Sequence, residues 1–372
     1  MTENSEPKML KKLLIAALAG LLIGAPARSQ LLMMNVGQPT NGPFVSQLIS
    51  QIDYTQGSPA AGDSLTQAGT PMYFNSSGVL TAASANTARF DCPNSTCLGW
   101  LVEASATNSF LKSKGQTAWS VGHATFTSNA IASPDGTTDA AFCKTDATSN
   151  PHYCLSTAVT SATSIGTFFV LAGGYGYAAI SNTSSTYIYF NLTTCAKTST
   201  LGSGWSASWS SGPYVVAGNS WCRIGGVATA TNMAYLTLYP YNVAGTNGGN
   251  SPSFLGDGAS GTYVIYGQVE AGAFPTSPII TTTIAVNRAA DVAANADWWN
   301  GATGNYLMVE YISQATPGTV QRESICPTGC TATSFVAPVS MWIKRICQFN
   351  ATPAGASEAI REAAQANGTA CT

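Results

Sequence analysis

Charge is what this 372-residue chain has least of. Asp, Glu, Lys and Arg make up 9% of it and the formal net charge is -2, against about 25% charged residues in an ordinary soluble domain. Between Lys144 and Arg288 the only basic residues are Lys197 and Arg223. No nucleic-acid partner is expected, because affinity for a phosphate backbone comes mainly from Lys and Arg. Histidine is scarce as well, with only His123 and His152, and the chain has no Gly-x-Ser-x-Gly elbow, phosphate loop or dinucleotide fingerprint. A glycosidase needs only two carboxylates, which Glu103, Glu270 and Glu310 could supply, but the expectation is a non-enzymatic protein. Long apolar runs are missing too. The run from Leu13 to Ile23 is too short for a comfortable membrane-spanning helix. Lys8, Lys11 and Lys12 precede it and Ala25-Pro26-Ala27 follows it. Residues 1–30 therefore read as a signal peptide or a membrane-anchor-like segment, with any membrane contact made through residues 8–27.

What the chain does have is aromatic and sulfur-bearing. It holds 8 Trp, 15 Tyr and 13 Phe, too many for a solvated coil. Its 10 cysteines fall into local neighbours: Cys92 and Cys97, Cys143 and Cys154, Cys195 and Cys222, Cys326 and Cys330, Cys347 and Cys371. Disulfides and an oxidising compartment are expected, with connectivity left open. Strand signals recur at Thr167 to Leu171, Thr186 to Phe190, Tyr214 to Val216, Ala234 to Tyr239 and Gly261 to Gly267. Several alternate apolar residues with Ser and Thr, the period-2 pattern of a sheet with one solvated face. The fold class is all-β: an antiparallel β-sandwich of jelly-roll, carbohydrate-binding-module-like type. A hydrophobic N-terminal helix and a short C-terminal helix in Pro353 to Ala370 flank it. The division is a β-hairpin or attachment region over 31–90, the sandwich body over 91–283 and a small C-terminal region over 284–372.

Ordered blocks across roughly residues 70–295 carry a resemblance. They are Arg89-Phe-Asp91, Gly99-Trp-Leu-Val-Glu103, Ala106-Thr-Asn108 with Trp119, the Pro134-Asp-Gly-Thr137 loop, Tyr266-Gly-Gln-Val-Glu270, Gly272-Ala-Phe-Pro-Thr-Ser277 and Asn287-Arg-Ala-Ala-Asp-Val292. Together they resemble the signature of phage tail and head-fibre structural proteins. Tyr306 to Glu310 and Met341 to Ile346 resemble the first and last strands of a concanavalin-like (LamG-like) domain, here truncated. The resemblance implies a virion component, a tail or head fibre or decoration subunit, that assembles as a homo-oligomer with other virion proteins. The alternative is a carbohydrate-binding adhesin, or a secreted or membrane-attached surface protein encoded by a phage.

Candidate site residues follow from chemistry. Trp205, Trp209 and Trp221, near Gly- and Ser-rich segments, and Tyr175 and Tyr177 could stack on the sugar rings of a host cell-surface glycan. Asp135 and Asp139 flank a Gly-Thr-Thr turn and, with Glu270, are candidate Ca²⁺ ligands. Glu103 could pair with Arg89.

Overall fold

A computed structural model describes residues 48–114, 119–157, 164–183, 186–228, 233, 235–243, 252–295, 298, 306–315, 319–326, 334–336 and 339–349. The two flanking helices expected from the sequence, residues 8–27, Cys330 and Cys371 lie outside these. What is described is predominantly antiparallel β-sheet, with a short 3-10 turn at Pro93–Ser95.

The body consists of two six-stranded sheets. The front sheet runs, in spatial order, Trp205–Val216, Asn219–Ala228, Ser164–Gly173, Gly261–Ala271, Thr138–Thr145 and Ala124–Ala132. The back sheet runs Lys197–Leu201, Thr186–Asn191, Tyr177–Thr183, Tyr235–Tyr241, Tyr153–Thr157 and Ser120–Gly122. Period-2 alternation sends Phe168, Val170, Cys222, Ile224 and Val264 inward to meet Ala178, Ile180, Ile188, Phe190 and Leu238 in a dry core. Two disulfides staple the sheets. Cys143–Cys154 joins a front strand to a back strand, and Cys195–Cys222 ties the segment after Thr186–Asn191 to Asn219–Ala228.

The expectation of a solvated outer face fails for the central front strands. In Asn219–Ala228 every residue from Trp221 onward is buried, and Gly261–Ala271 is nearly so. The outer face is covered, and a second core of Met72, Phe74, Leu80, Phe169, Trp221 and Ile265 lies there. Its lid is the hairpin Met72–Phe74 with Leu80–Ala82. The hairpin turn is held by Asn75, whose Oδ1 accepts from the Ser77 and Val79 amides at 2.9 and 3.1 Å. Gly78 sits at φ +74°, and a Cβ there would come within 2.9 Å of the Ser95 amide.

The two ends of the described chain share one further six-stranded sheet. Its main path is Val320–Cys326, Tyr306–Ser313, Met341–Phe349, Gly99–Val102 and Arg89–Asp91. Met341–Phe349 has two successive partners along one edge, Gly99–Val102 beside Met341 to Ile343 and Leu48–Asp53 beside Arg345 to Phe349. One face of this terminal sheet carries Phe90, Trp100, Val102, Met341 and Ile343 into a third core. The alternate residues Asp91, Leu101 and Trp342 point the other way and line a pocket shared with the body.

Candidate functional site

Arg89, Glu103, Ser277, Arg288 and Asp291, far apart in sequence, meet in one buried polar network between body and terminal sheet. Glu103 is its centre and is fully buried. Its Oε2 accepts from Arg89 Nη1 at 2.5 Å, Arg288 Nη1 at 2.8 Å and Ser277 Oγ at 2.7 Å, and its Oε1 accepts from the Ser277 amide at 2.6 Å. The second Arg89 amino group pairs with Asp291. Asp291 Oδ2 in turn accepts from the Glu103 amide at 2.7 Å. Burial alone would raise the Glu103 pKa, but Arg288 and Arg89 outweigh it and hold the carboxyl at about 2. Breaking such a buried cluster costs about 3–5 kcal/mol, because the remaining charges stay buried without compensation. Asn108 uses both ends of its side chain: Nδ2 donates to the Gly267 and Ile279 carbonyls, and Oδ1 accepts from the Phe110 and Val269 amides.

Asp135 and Asp139 meet at one ammonium group, and Glu270 lies apart from them. Asp135 Oδ1 caps its own turn, accepting from the Thr137 amide at 2.8 Å and Ser133 Oγ at 2.7 Å. Its Oδ2 accepts from Tyr266 Oη at 2.6 Å. The Lys114 ammonium pairs with both aspartates and so takes the place expected for a cation. Glu270 is buried elsewhere, accepting from the Thr276 amide at 2.8 Å and from Gln268 Nε2 at 2.5 Å. Among the described residues no three His, Cys, Asp or Glu side chains form a group that could hold a metal ion.

The aromatic candidates divide. Trp205 and Trp221, expected as stacking faces, are core residues instead, 8% and 0% exposed. Trp205 donates to the Thr186 carbonyl at 3.3 Å, and Trp221 packs in the core beneath the hairpin. Tyr175 is half-buried, its ring edge-on to Phe254 at 5.4 Å and its hydroxyl accepting from the Asp257 amide. Tyr177 lies opposite Tyr241 and Asn191 in the back sheet. Trp209 borders a pocket.

That pocket has a volume of about 240 Å³ and sits where the outer face of the front sheet, the hairpin and the terminal sheet meet. The body supplies Phe169, Trp209, Tyr214 and Arg223, and the terminal sheet adds Asp91 and Trp342. Phe74 of the hairpin stacks on Tyr214 with centroids 4.6 Å apart. Arg223 lies opposite Phe169 on one neighbouring strand and Ser211 on the other. Its guanidinium carbon is 5.3 Å from the Phe169 ring and 5.5 Å from the Trp209 ring, within cation–π range. Asp91 Oδ1 accepts from the Phe74 amide and Oδ2 from Trp342 Nε1, each at 2.8 Å. Burial nevertheless pushes its pKa up to about 6, and it pushes the Tyr214 hydroxyl up to about 12. Gln314 also lines the pocket, and its Oε1 is buried and without a hydrogen-bond partner.

Nothing local in the sequence marks Trp342 or Gln314 as neighbours of Trp209. The signal for Arg223 was its isolation: a lone arginine in an apolar strand, within a long stretch holding one other basic residue. Comparison with protein-family models and with curated proteins finds no match to this chain.

Proposed function

We propose that this chain is a non-enzymatic phage virion component, a tail or head fibre or decoration subunit, whose jelly-roll body takes a host-surface saccharide in the pocket beside Trp209. The body's topology supports the jelly-roll reading. Eight strands in chain order, Thr138–Thr145, Tyr153–Thr157, Ser164–Gly173, Tyr177–Thr183, Thr186–Asn191, Asn219–Ala228, Tyr235–Tyr241 and Gly261–Ala271, can be lettered B to I. The front sheet then contains B-I-D-G and the back sheet C-H-E-F, the order of two interlocked Greek keys. Hairpin strands extend both sheets beyond these eight.

The observation that carries the binding role is the pocket itself. It places aromatic faces beside buried polar atoms that lack protein partners, and it lies at a junction between structural layers, where ligand sites concentrate. The signature residues support a structural role, since Arg89, Glu103, Arg288 and Asp291 fasten the body to the terminal sheet rather than face solvent. Disulfides within the body favour a second reading, an adhesin that is secreted or attached at a cell surface, because they fit an oxidising compartment.

The test is a glycan-array screen of the full chain beside W209A. The expected result is saturable binding to one sugar class, lost in the variant. Trp205 and Trp221 are unsuitable for this purpose, since truncating a buried tryptophan costs about 3–5 kcal/mol of stability. A folded protein that binds no glycan would overturn the binding role and leave a subunit that contacts protein alone.

A further inference from the structure

We infer that the saccharide taken by this pocket is an acidic one, its carboxylate held by Arg223 while its ring lies against Trp209; this rests on the saccharide reading above. The buried and half-buried arginines differ in their partners. Arg89 is paired with Glu103 and Asp291, Arg288 with Glu103, and Arg345 with Asp53 and Glu310. Arg223 is 6% exposed, yet among the described residues no carboxylate comes within ion-pair distance of it. Its one hydrogen bond runs from Nη2 to Thr167 Oγ1 at 3.3 Å, and its Nε is buried with no partner. Glu270 and Glu103 act on it electrostatically from a distance, but neither pairs with it, so the guanidinium remains open to a directly hydrogen-bonded anion.

The neighbouring acids are already engaged. Glu103 pairs with Arg89 and Arg288, and Glu270, hydrogen-bonded to the neutral Thr276 and Gln268, acts on Arg223 through its charge without touching it. Asp91 lines the same pocket, but each of its oxygens is taken, one by the Phe74 amide and the other by Trp342. Rings of Phe169 and Trp209 flank the Arg223 guanidinium and help fix its plane. A guanidinium held this way offers its free N–H edge to a planar carboxylate, the geometry in which arginine surpasses lysine. Gln314 lines the same pocket and its Oε1 has no protein partner, so a small side-chain rotation would offer an acceptor to a sugar hydroxyl. The cavity, about 240 Å³, is smaller than the roughly 300 Å³ at the lower limit of drug-sized sites, and so suits one sugar ring rather than a long oligosaccharide.

The experiment is a calorimetric titration of the full chain with glucuronate, galacturonate and N-acetylneuraminate, against glucose, galactose and the methyl esters of the three acids. At least one free acid binds saturably, and its ester and neutral counterparts bind about thirtyfold more weakly or worse. R223Q shows the same loss toward the acid. The esters probe the contact in the unaltered protein, so the outcome does not depend on the variant folding. Neutral sugars that bind as tightly as the acids would overturn the acidic assignment and leave the saccharide reading standing. No binding by acids or neutral sugars, with the unaltered chain silent on the array as well, would remove both.

Discussion

Asp91 has a backbone amide on one oxygen and an indole N–H on the other, and both hydrogen bonds favour its ionised form. Burial still dominates, and the carboxyl titrates near 6 in place of 3.8. The sign follows from linkage. A group that holds its proton more tightly when folded contributes stability that is complete below pH 3.8 and is lost as the pH rises through about 6. Two pKa units correspond to on the order of 3 kcal/mol. Asp91→Asn is expected to be less stable at pH 4, since its amide cannot accept from both donors, yet to lose less stability between pH 4 and 7 than the unaltered chain. Thermal denaturation across that range measures it, and parallel profiles would refute it. Glu103 works in the opposite direction: with its carboxyl near 2 in place of 4.5, its contribution disappears only as the pH falls below 4.5.

Elements were legible where one layer of structure decides them. The runs around Phe168, Tyr187 and Val264 form strands where their alternation predicts, and the region over 31–90 holds the hairpin Met72–Phe74 with Leu80–Ala82. The site was less legible, because its walls belong to different layers. Trp205, Trp209 and Trp221 look alike in sequence, yet the core between the sheets buries Trp205, the covered outer face of the front sheet buries Trp221, and Trp209 is left at a rim. Asp135 and Asp139 looked like cation ligands because Lys114, which takes the cation's place, precedes them by more than twenty residues. The disulfides act at this scale too. The Cys195–Cys222 bond, with a sequence separation of 27, restricts the unfolded chain by about 3.5 kcal/mol in the loop-entropy description, and the five-residue Cys92–Cys97 separation by about 2 kcal/mol. Replacing each pair by serine is expected to reproduce that ranking in denaturant melts. Equal losses would mean that native packing around the bridges, not chain entropy, sets their worth.

The whole molecule is held together by pairings between distant parts of the chain. Residues 91–283 contain the body, but Arg288 and Asp291 complete the Glu103 network, while the hairpin Met72–Phe74 with Leu80–Ala82 covers the front sheet. A fragment of residues 91–283 would expose Phe169, Ile265 and Trp221 and bury Glu103 with no cationic partner. It is expected to aggregate on expression while a chain spanning 48–349 stays soluble; size-exclusion chromatography and circular dichroism distinguish the two. A monodisperse, cooperatively melting 91–283 would refute this. The pairing of Leu48–Asp53 with the far end of Met341–Phe349 also imposes an order in time. About 300 residues separate the partners, so at roughly 5–20 residues per second the ribosome needs about 15–60 s between making one and making the other. Throughout that interval the early strand has no mate, and the nascent chain must keep an open β-edge from recruiting the same edge on a neighbouring polysome.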